Sequence, residues 1–125
     1  YNGMQSIDKC LKSIPSHYQT VIVDNNSTDG TIAFIRENYP QYTLLQQDRN
    51  LGFGQANNKG MSYALSQNTD AVLLLNQDAY LFPNTIELLE QVSIVNRDYG
   101  VLSPVNMNGT GKLLDRNFSY YMSYD

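Results

Sequence analysis

The chain is poor in several things. Of its 125 residues one is a cysteine, Cys10, and one a histidine, His17. A lone cysteine excludes a disulfide framework within the chain and a cysteine-rich zinc site. With a single histidine beside it, a His/Cys metal cage is out of reach. Basic residues are scarce: eight Lys and Arg stand against twelve Asp and Glu, a net charge of −4. A protein that tracks a nucleic-acid backbone carries a basic stripe. None is visible, so no nucleic-acid partner is expected. Long apolar runs are absent as well. The longest, residues 71–75, is strand-sized, far short of the ~20 residues of a membrane helix, so no transmembrane segment is expected.

What is there reads as globular. Hydrophobic residues make up 42% and charged residues 16%, which sets the chain apart from a disordered tail. Its length fits one domain that buries roughly two thirds of its unfolded surface. The chain begins at Tyr1 without a Met or a signal-peptide pattern, and it closes on an aromatic, strand-like run over residues 119–125. The expectation is a piece of a longer protein.

Periodicity predicts helices alternating with strands. Ile7, Cys10, Leu11 and Ile14 fall at helical spacing, and Pro15 closes that helix. Residues 20–23 are β-branched and predict a buried strand. Ser27 is positioned to cap a second helix, with Asp29 in its first turn and a stripe of Ile32, Ile35 and Tyr39 before Pro40. Residues 42–46 predict the next strand. A third helix carries Ala56, Gly60, Tyr63 and Ala64 on one face, and Gly60 there implies close approach to a sheet. Residues 71–75 predict a central strand covered on both faces. Asn84 and Glu87 resemble a capping box for a fourth helix with the stripe Leu88, Val92 and Val95. Val101 and Leu102 start another strand. Asn108-Gly109-Thr110-Gly111 predicts a hairpin turn, with Leu113 and Leu114 returning. Such alternation predicts an α/β fold with an open, mostly parallel sheet. Ligands on such sheets bind beyond the carboxyl ends of the strands.

Three polar loops fall at those ends. Val21-Ile22-Val23 delivers Asp24 and Asn25 to a strand end, and the run from Asp24 to Asp29 is polar throughout. A carboxylate there can accept from a base imide or a ribose hydroxyl, and the Asn25 amide can donate and accept. Asn50-Leu51-Gly52-Phe53-Gly54 places two glycines before a helix, where backbone N–H groups can approach an anion. It lacks the third glycine of the dinucleotide fingerprint. Leu73-Leu74-Leu75 runs into Asn76-Gln77-Asp78, and a carboxylate at the end of a buried strand must be paired, bind a metal or face a polar cleft. Oxygen ligands suit Mg²⁺ or Mn²⁺.

Together, Asp24-Asn25-Asn26-Ser27-Thr28-Asp29-Gly30-Thr31, Asn50-Leu51-Gly52-Phe53-Gly54 and Asn76-Gln77-Asp78 resemble the family 2 glycosyltransferases with the GT-A fold. Within them the chain is most similar to the rhamnosyltransferase-like branch. The opening Tyr1-Asn2-Gly3 resembles the family's first loop. The likeness runs from Tyr1 to about Leu114.

The resemblance implies the nucleotide-sugar-binding part of a glycosyltransferase domain, occupying residues 1–125, with a Rossmann-like sheet and helices on both faces. Such enzymes move a sugar from a nucleoside diphosphate sugar, here a UDP- or dTDP-sugar, to a hydroxyl on a glycan or lipid-linked acceptor. Bacterial polysaccharide or cell-envelope glycan synthesis is the implied setting, in the cytoplasm or at the inner face of the membrane. The implied nucleotide contacts are Tyr1, Asn2, Asp24, Asn25, Asn50, Gly52, Gly54 and Gln77. Asp78 matches the last acid of the family's Asp-X-Asp motif, where Mg²⁺ or Mn²⁺ is held. Asn76 stands at the first position of that motif and could lend an amide oxygen. Asn25 stands where many members carry a second Asp. The family's first strand would precede Tyr1 and its catalytic base would lie beyond residue 125, so turnover by this chain alone is not expected.

Two other classes remain. One is a nucleotide-binding or scaffold domain without activity, favoured by Asn76 in place of an acid. The other is a phosphatase of the haloacid dehalogenase type. Asp24-Asn25-Asn26-Ser27-Thr28 is near its nucleophile loop but lacks the second Asp.

Overall fold

The computed structural model describes residues 1–122 and divides into two compact units, Tyr1–Phe82 and Pro83–Asp125. The first unit holds α1 (Ile7–Lys12), β1 (Val21–Asp24), α2 (Thr31–Asn38), β2 (Thr43–Gln46) and α3 (Phe53–Ser66). β1 and β2 pair in parallel through the α2 crossover, with Ile22 opposite Leu44 and Asp24 opposite Gln46.

Strand alternation divides the packing. Ile22 and Leu44 face one side, where α1 and α2 close a core of Ile7, Leu11, Ile35 and Tyr39. Ile14, Phe34 and Tyr42 pack around it, and the Tyr39 and Tyr42 rings stack with centroids 5.6 Å apart. Val23 faces the other side and meets α3. A Cβ on Gly60 would lie 3.1 Å from Val23 Cγ2, so the glycine is what lets the helix come this close. Helices therefore cover both faces of the small sheet, as the sequence predicts.

On α1 and α2 the stripes bury Ile7, Cys10, Leu11, Ile35 and Tyr39 and leave Ile14 and Ile32 half-buried, while the α3 stripe is only half-buried throughout. The start of α2 differs from expectation. Gly30, at φ 88°, is its N-cap residue, not Ser27, and Asp29 lies before the helix. The Asp29 carboxylate does the capping, accepting from the Thr31 amide at 3.1 Å.

The sheet is smaller than expected. Residues 71–75 form no strand, and Val72, Leu73 and Leu74 are 40%, 39% and 51% exposed. A strand is defined by its hydrogen-bonded neighbour, and none of the described residues lies beside this run as one. The segment after it is nevertheless docked on α1. Cys10 Sγ–H donates to the Asn76 carbonyl at 3.4 Å, and the Leu81 amide donates to Ser13 Oγ at 3.0 Å. The Lys9 ammonium sits 3.6 Å from the Tyr80 ring centroid.

The second unit holds α4 (Thr85–Val95) and α5 (Arg116–Met122). Asn84 is the N-cap residue of α4, but its φ of 63° is left-handed and its side chain makes no cap bond, so the expected capping box does not form. Glu87 Oε2 is buried with no hydrogen-bond partner among the described residues. The stripe Leu88, Val92 and Val95 is 57%, 44% and 81% exposed, not buried. Val101 and Leu102 form no strand. The hairpin turn does form. Met107 and Leu114 make an antiparallel bridge, the Asn108 amide donates to the Leu113 carbonyl, and Gly111 takes φ 69°. α5 makes residues 119–122 helical, where the sequence predicts the first part of an extended run over 119–125. Asp115 Oδ1 accepts from the Asn117 and Phe118 amides at 2.9 and 3.2 Å and so caps the first turn. Residues 123–125 of that expected strand lie outside the described residues.

Candidate nucleotide-sugar site

Parallel pairing puts the ends of β1 and β2 on one edge of the sheet. Side-chain hydrogen bonds then tie the loops at this edge together. Asn25, next after β1, spans to the loop after β2: its Nδ2 donates to the Gly52 carbonyl at 3.2 Å, and its Oδ1 accepts from the Leu51 amide at 3.1 Å. Asn50 Oδ1 accepts from the Gly52 amide at 2.9 Å within the same turn. Gly52 itself takes φ 79°, a conformation that favours glycine, and nothing lies within 4 Å of a Cβ built on it.

Residues 1–4 are joined to residues 27–31 by four bonds. The amides of Asn2, Gly3 and Met4 donate to Ser27 Oγ (2.8 Å), Thr31 Oγ1 (2.9 Å) and Asp29 Oδ2 (3.2 Å). The Thr28 amide returns a bond to Asn2 Oδ1 at 2.9 Å. Thr31 is 3% exposed, and its hydroxyl also donates to Asp29 Oδ1. That bond is the largest influence holding the Asp29 carboxyl below its usual range, with the Met4 and Thr31 amides adding to it.

Gln77 connects the third segment. Its Oε1 accepts from the Tyr1 nitrogen and its Nε2 donates to the Tyr1 carbonyl, both at 3.2 Å. The side-chain amide thus pairs with one backbone residue as a neighbouring strand would. A Cβ on Gly3 would lie 2.8 Å from Gln77 Oε1, so a side chain there would push the Gln77 amide aside. Burial, helped by the charge of Asp78, pushes the Cys10 thiol up to about 11, which keeps it a neutral donor to Asn76.

Two loop residues besides glycine, Asn2 and Asn26, take positive φ of 51° and 69°. Asparagine is among the non-glycine residues most at ease in that region, and Asn68 and Asn84, outside this cluster, take φ of 57° and 63° as well.

Set against known proteins, residues 1–118 match the sequence profile described as Glycosyl transferase family 2. The chain belongs to glycosyl transferase family 2. It is 34% identical over 68 residues to the SPbeta prophage-derived glycosyltransferase SunS of Bacillus subtilis (strain 168) and to glycosyltransferase SunS of Bacillus phage SPbeta. The match covers 54% of this chain and 16% of each relative, so the chain spans only a small part of the length of the curated relatives it matches. No solved structure matches it.

The polar loops are thus tied together, but the residues within them divide. Tyr1 is 52% exposed; Asn2, Asn50, Gly52, Gly54, Asn76 and Asp78 are exposed and Gln77 is half-buried. Asp24 and Asn25 are 3% and 7% exposed. Asp24 Oδ2 accepts from the Ser27 amide at 2.8 Å, a turn bond that shapes the family loop from within. Sequence reasoning missed the linking residues Asp29, Thr31 and Ser13. The sequence presents Asp29 only as an acid near a helix start and Thr31 only as the last residue of a motif, and nothing in it marks Ser13. Among the described residues no group of three or more His, Cys, Asp or Glu side chains gathers at a potential metal site. No helix there is long and apolar enough to cross a membrane.

Proposed function

We propose that residues 1–125 are the nucleotide-sugar-binding part of a glycosyltransferase domain, built as part of a GT-A, Rossmann-like sheet. One observation carries the reading: the loops at residues 1–4, 24–31, 50–54 and 76–78 are cross-linked into one cluster at the carboxyl edge of β1 and β2. This is where an open parallel sheet binds its ligands.

Tyr1, Asn2, Asp24, Asn25, Asn50, Gly52, Gly54 and Gln77 shape the nucleotide subsite. The exposed Tyr1 ring offers a face for a base, and Asp24 and Gln77 act through the loops they hold. The donor is a nucleoside diphosphate sugar, UDP- or dTDP-linked. The acceptor is a hydroxyl of a glycan or lipid-linked glycan in bacterial envelope or polysaccharide synthesis, at a cytoplasmic site. The Asn76-Gln77-Asp78 sequence favours the rhamnosyltransferase-like branch.

Asp78 and Asn76 fit a divalent cation of the Mg²⁺ or Mn²⁺ kind. Asp78 is exposed and joins no ion pair among the described residues. The Asn76 backbone carbonyl already accepts from Cys10 and from the Ala79 amide, which leaves its side-chain oxygen as the donor. One carboxylate and one amide oxygen suit an ion that keeps waters and shares the donor's phosphates. Such an ion supplies Lewis-acid stabilisation of a diphosphate leaving group. The docking of residues 76–81 on α1 holds these two ligands in place.

The phosphatase reading fares worse, because its nucleophile would be Asp24, which is 3% exposed. A binding domain without activity is the competing reading, supported by Asn76 where an acid is usual. Calorimetric titration of UDP, dTDP and GDP, with and without Mn²⁺, tests the donor site. Mn²⁺-dependent binding of one diphosphate, lost in Asp78→Ala, is the expected result. A folded sample that binds none of them refutes it.

A further inference from the structure

We infer that Asn25 is a positioning residue: it fastens the turn at Leu51 and Gly52 and does not itself read the nucleobase. The inference rests on the donor-site reading for its ligand, but on geometry for the fastening.

Three observations carry it. The Asn25 side chain is 7% exposed, so little of it is open to a ligand. Both ends of its amide are committed to the facing loop, Nδ2 to the Gly52 carbonyl and Oδ1 to the Leu51 amide. The Gly52 carbonyl also accepts from the Ala56 amide, the first-turn bond of α3, so Asn25 ties the end of β1 to the start of α3. Asn50 Oδ1 holds the Gly52 amide from within the turn, and Asn25 adds the tie from that turn to the end of β1. Gly52 sits at φ 79° and ψ 168°, a conformation in which an unrestrained glycine has many alternatives. The chemistry also explains the residue type. A carboxylate at position 25 could still accept from Leu51 but could not donate to Gly52, and its charge would face a carbonyl oxygen. The amide is the side chain that satisfies both loop groups.

The test uses Asn25→Ala and Asn25→Asp. Hydrogen exchange of the ligand-free chain is read at the Leu51 amide and, as an internal reference, at the Ile35 amide in α2. Calorimetry then measures UDP, dTDP and GDP. In Asn25→Ala the Leu51 amide should exchange about tenfold faster with Ile35 unchanged, and every diphosphate that binds should weaken by one common factor of about ten. Asn25→Asp, which keeps the acceptor, should recover most of the Leu51 protection and part of the affinity. A changed order of preference among the three diphosphates overturns the inference, because it makes Asn25 a base contact. Unchanged exchange at Leu51 overturns it too. So does a lower melting temperature with unaltered affinity, the mark of plain stabilisation. A wild-type chain that binds no diphosphate refutes the donor-site reading instead, and exchange at Leu51 then decides the fastening by itself.

Discussion

Thr31→Val is the sharpest test of how the first loop is held. The substitution keeps the β-branched shape of a 3%-exposed side chain and removes its hydroxyl. Two interactions go with it. The buried Gly3 amide loses its acceptor at 2.9 Å, and Asp29 loses its hydroxyl donor. Leaving a buried N–H without a partner costs about 2 kcal/mol. For a unit of this size that lowers the melting temperature by about 10 °C. The acid side carries a second signature. Asp29 is held below its ordinary value of 3.8, with the Thr31 hydroxyl the first cause. A depressed carboxyl contributes stability that is present above the unfolded value and lost as pH falls through the folded one. Removing the hydroxyl removes the largest single cause of that contribution, so wild type should lose more stability than the variant as pH falls below 3.8, narrowing the gap. Urea unfolding followed by circular dichroism, at neutral pH and through the acid window, measures both. A variant within about 0.5 kcal/mol of wild type at neutral pH refutes the claim that this hydroxyl holds the loop. A gap that does not change with acid refutes the Asp29 part.

Ile35→Ala should cost about 3 kcal/mol in urea unfolding, since Ile35 is 1% exposed at the centre of the core. Gly60→Ala gains about 1 kcal/mol of helix propensity but sets a Cβ 3.1 Å from Val23 Cγ2. Crowding of this kind costs about 2 kcal/mol, so the variant should be the less stable, and Val23→Ala in the same chain should reverse the penalty. At the alkaline end burial, then the Asp8 contact, lifts Tyr39 from 10.0 to about 12, and burial lifts Cys10 from 9.0 to about 11. A raised folded value means stability is complete below the unfolded value and is lost as pH rises through the folded one. The melting temperature should therefore fall between about pH 9 and 12, and less steeply in Tyr39→Phe.

The cross-linked loops give the donor-site reading a physical meaning that a motif match lacks. Each loop is short of regular structure, so its shape depends on bonds to the others. Asn25 holds the glycine turn, Thr31 and Asp29 hold residues 3 and 4, and Gln77 holds residue 1. A ligand at this edge would meet a surface already shaped, which lowers the ordering cost of binding. The same dependence makes the site sensitive to substitutions that touch no ligand.

What the sequence alone determined was whatever depends on local pattern. The helical spacing of Ile7, Cys10 and Leu11 and the run Val21-Ile22-Val23 specified elements and their buried faces, because 3.6- and 2-residue periods are properties of the backbone. Gly60 announced close packing, since a glycine there has no other use. The family loops were legible for the same reason, as contiguous runs of polar residues after apolar ones. Tertiary structure decided the rest. Residues 71–75 have every mark of a strand and are not one, because a strand needs a partner and pattern cannot supply it. Residues 119–122 look extended and are helical, because Asp115 caps their first turn. Asp24 and Asn25 look alike in sequence to any ligand-contacting pair, yet both are buried, Asp24 bonded within its own loop and Asn25 to the facing one. For Asn25, Thr31 and Gln77 the role of holding a loop is set by contacts between residues more than twenty positions apart, and no local period records those.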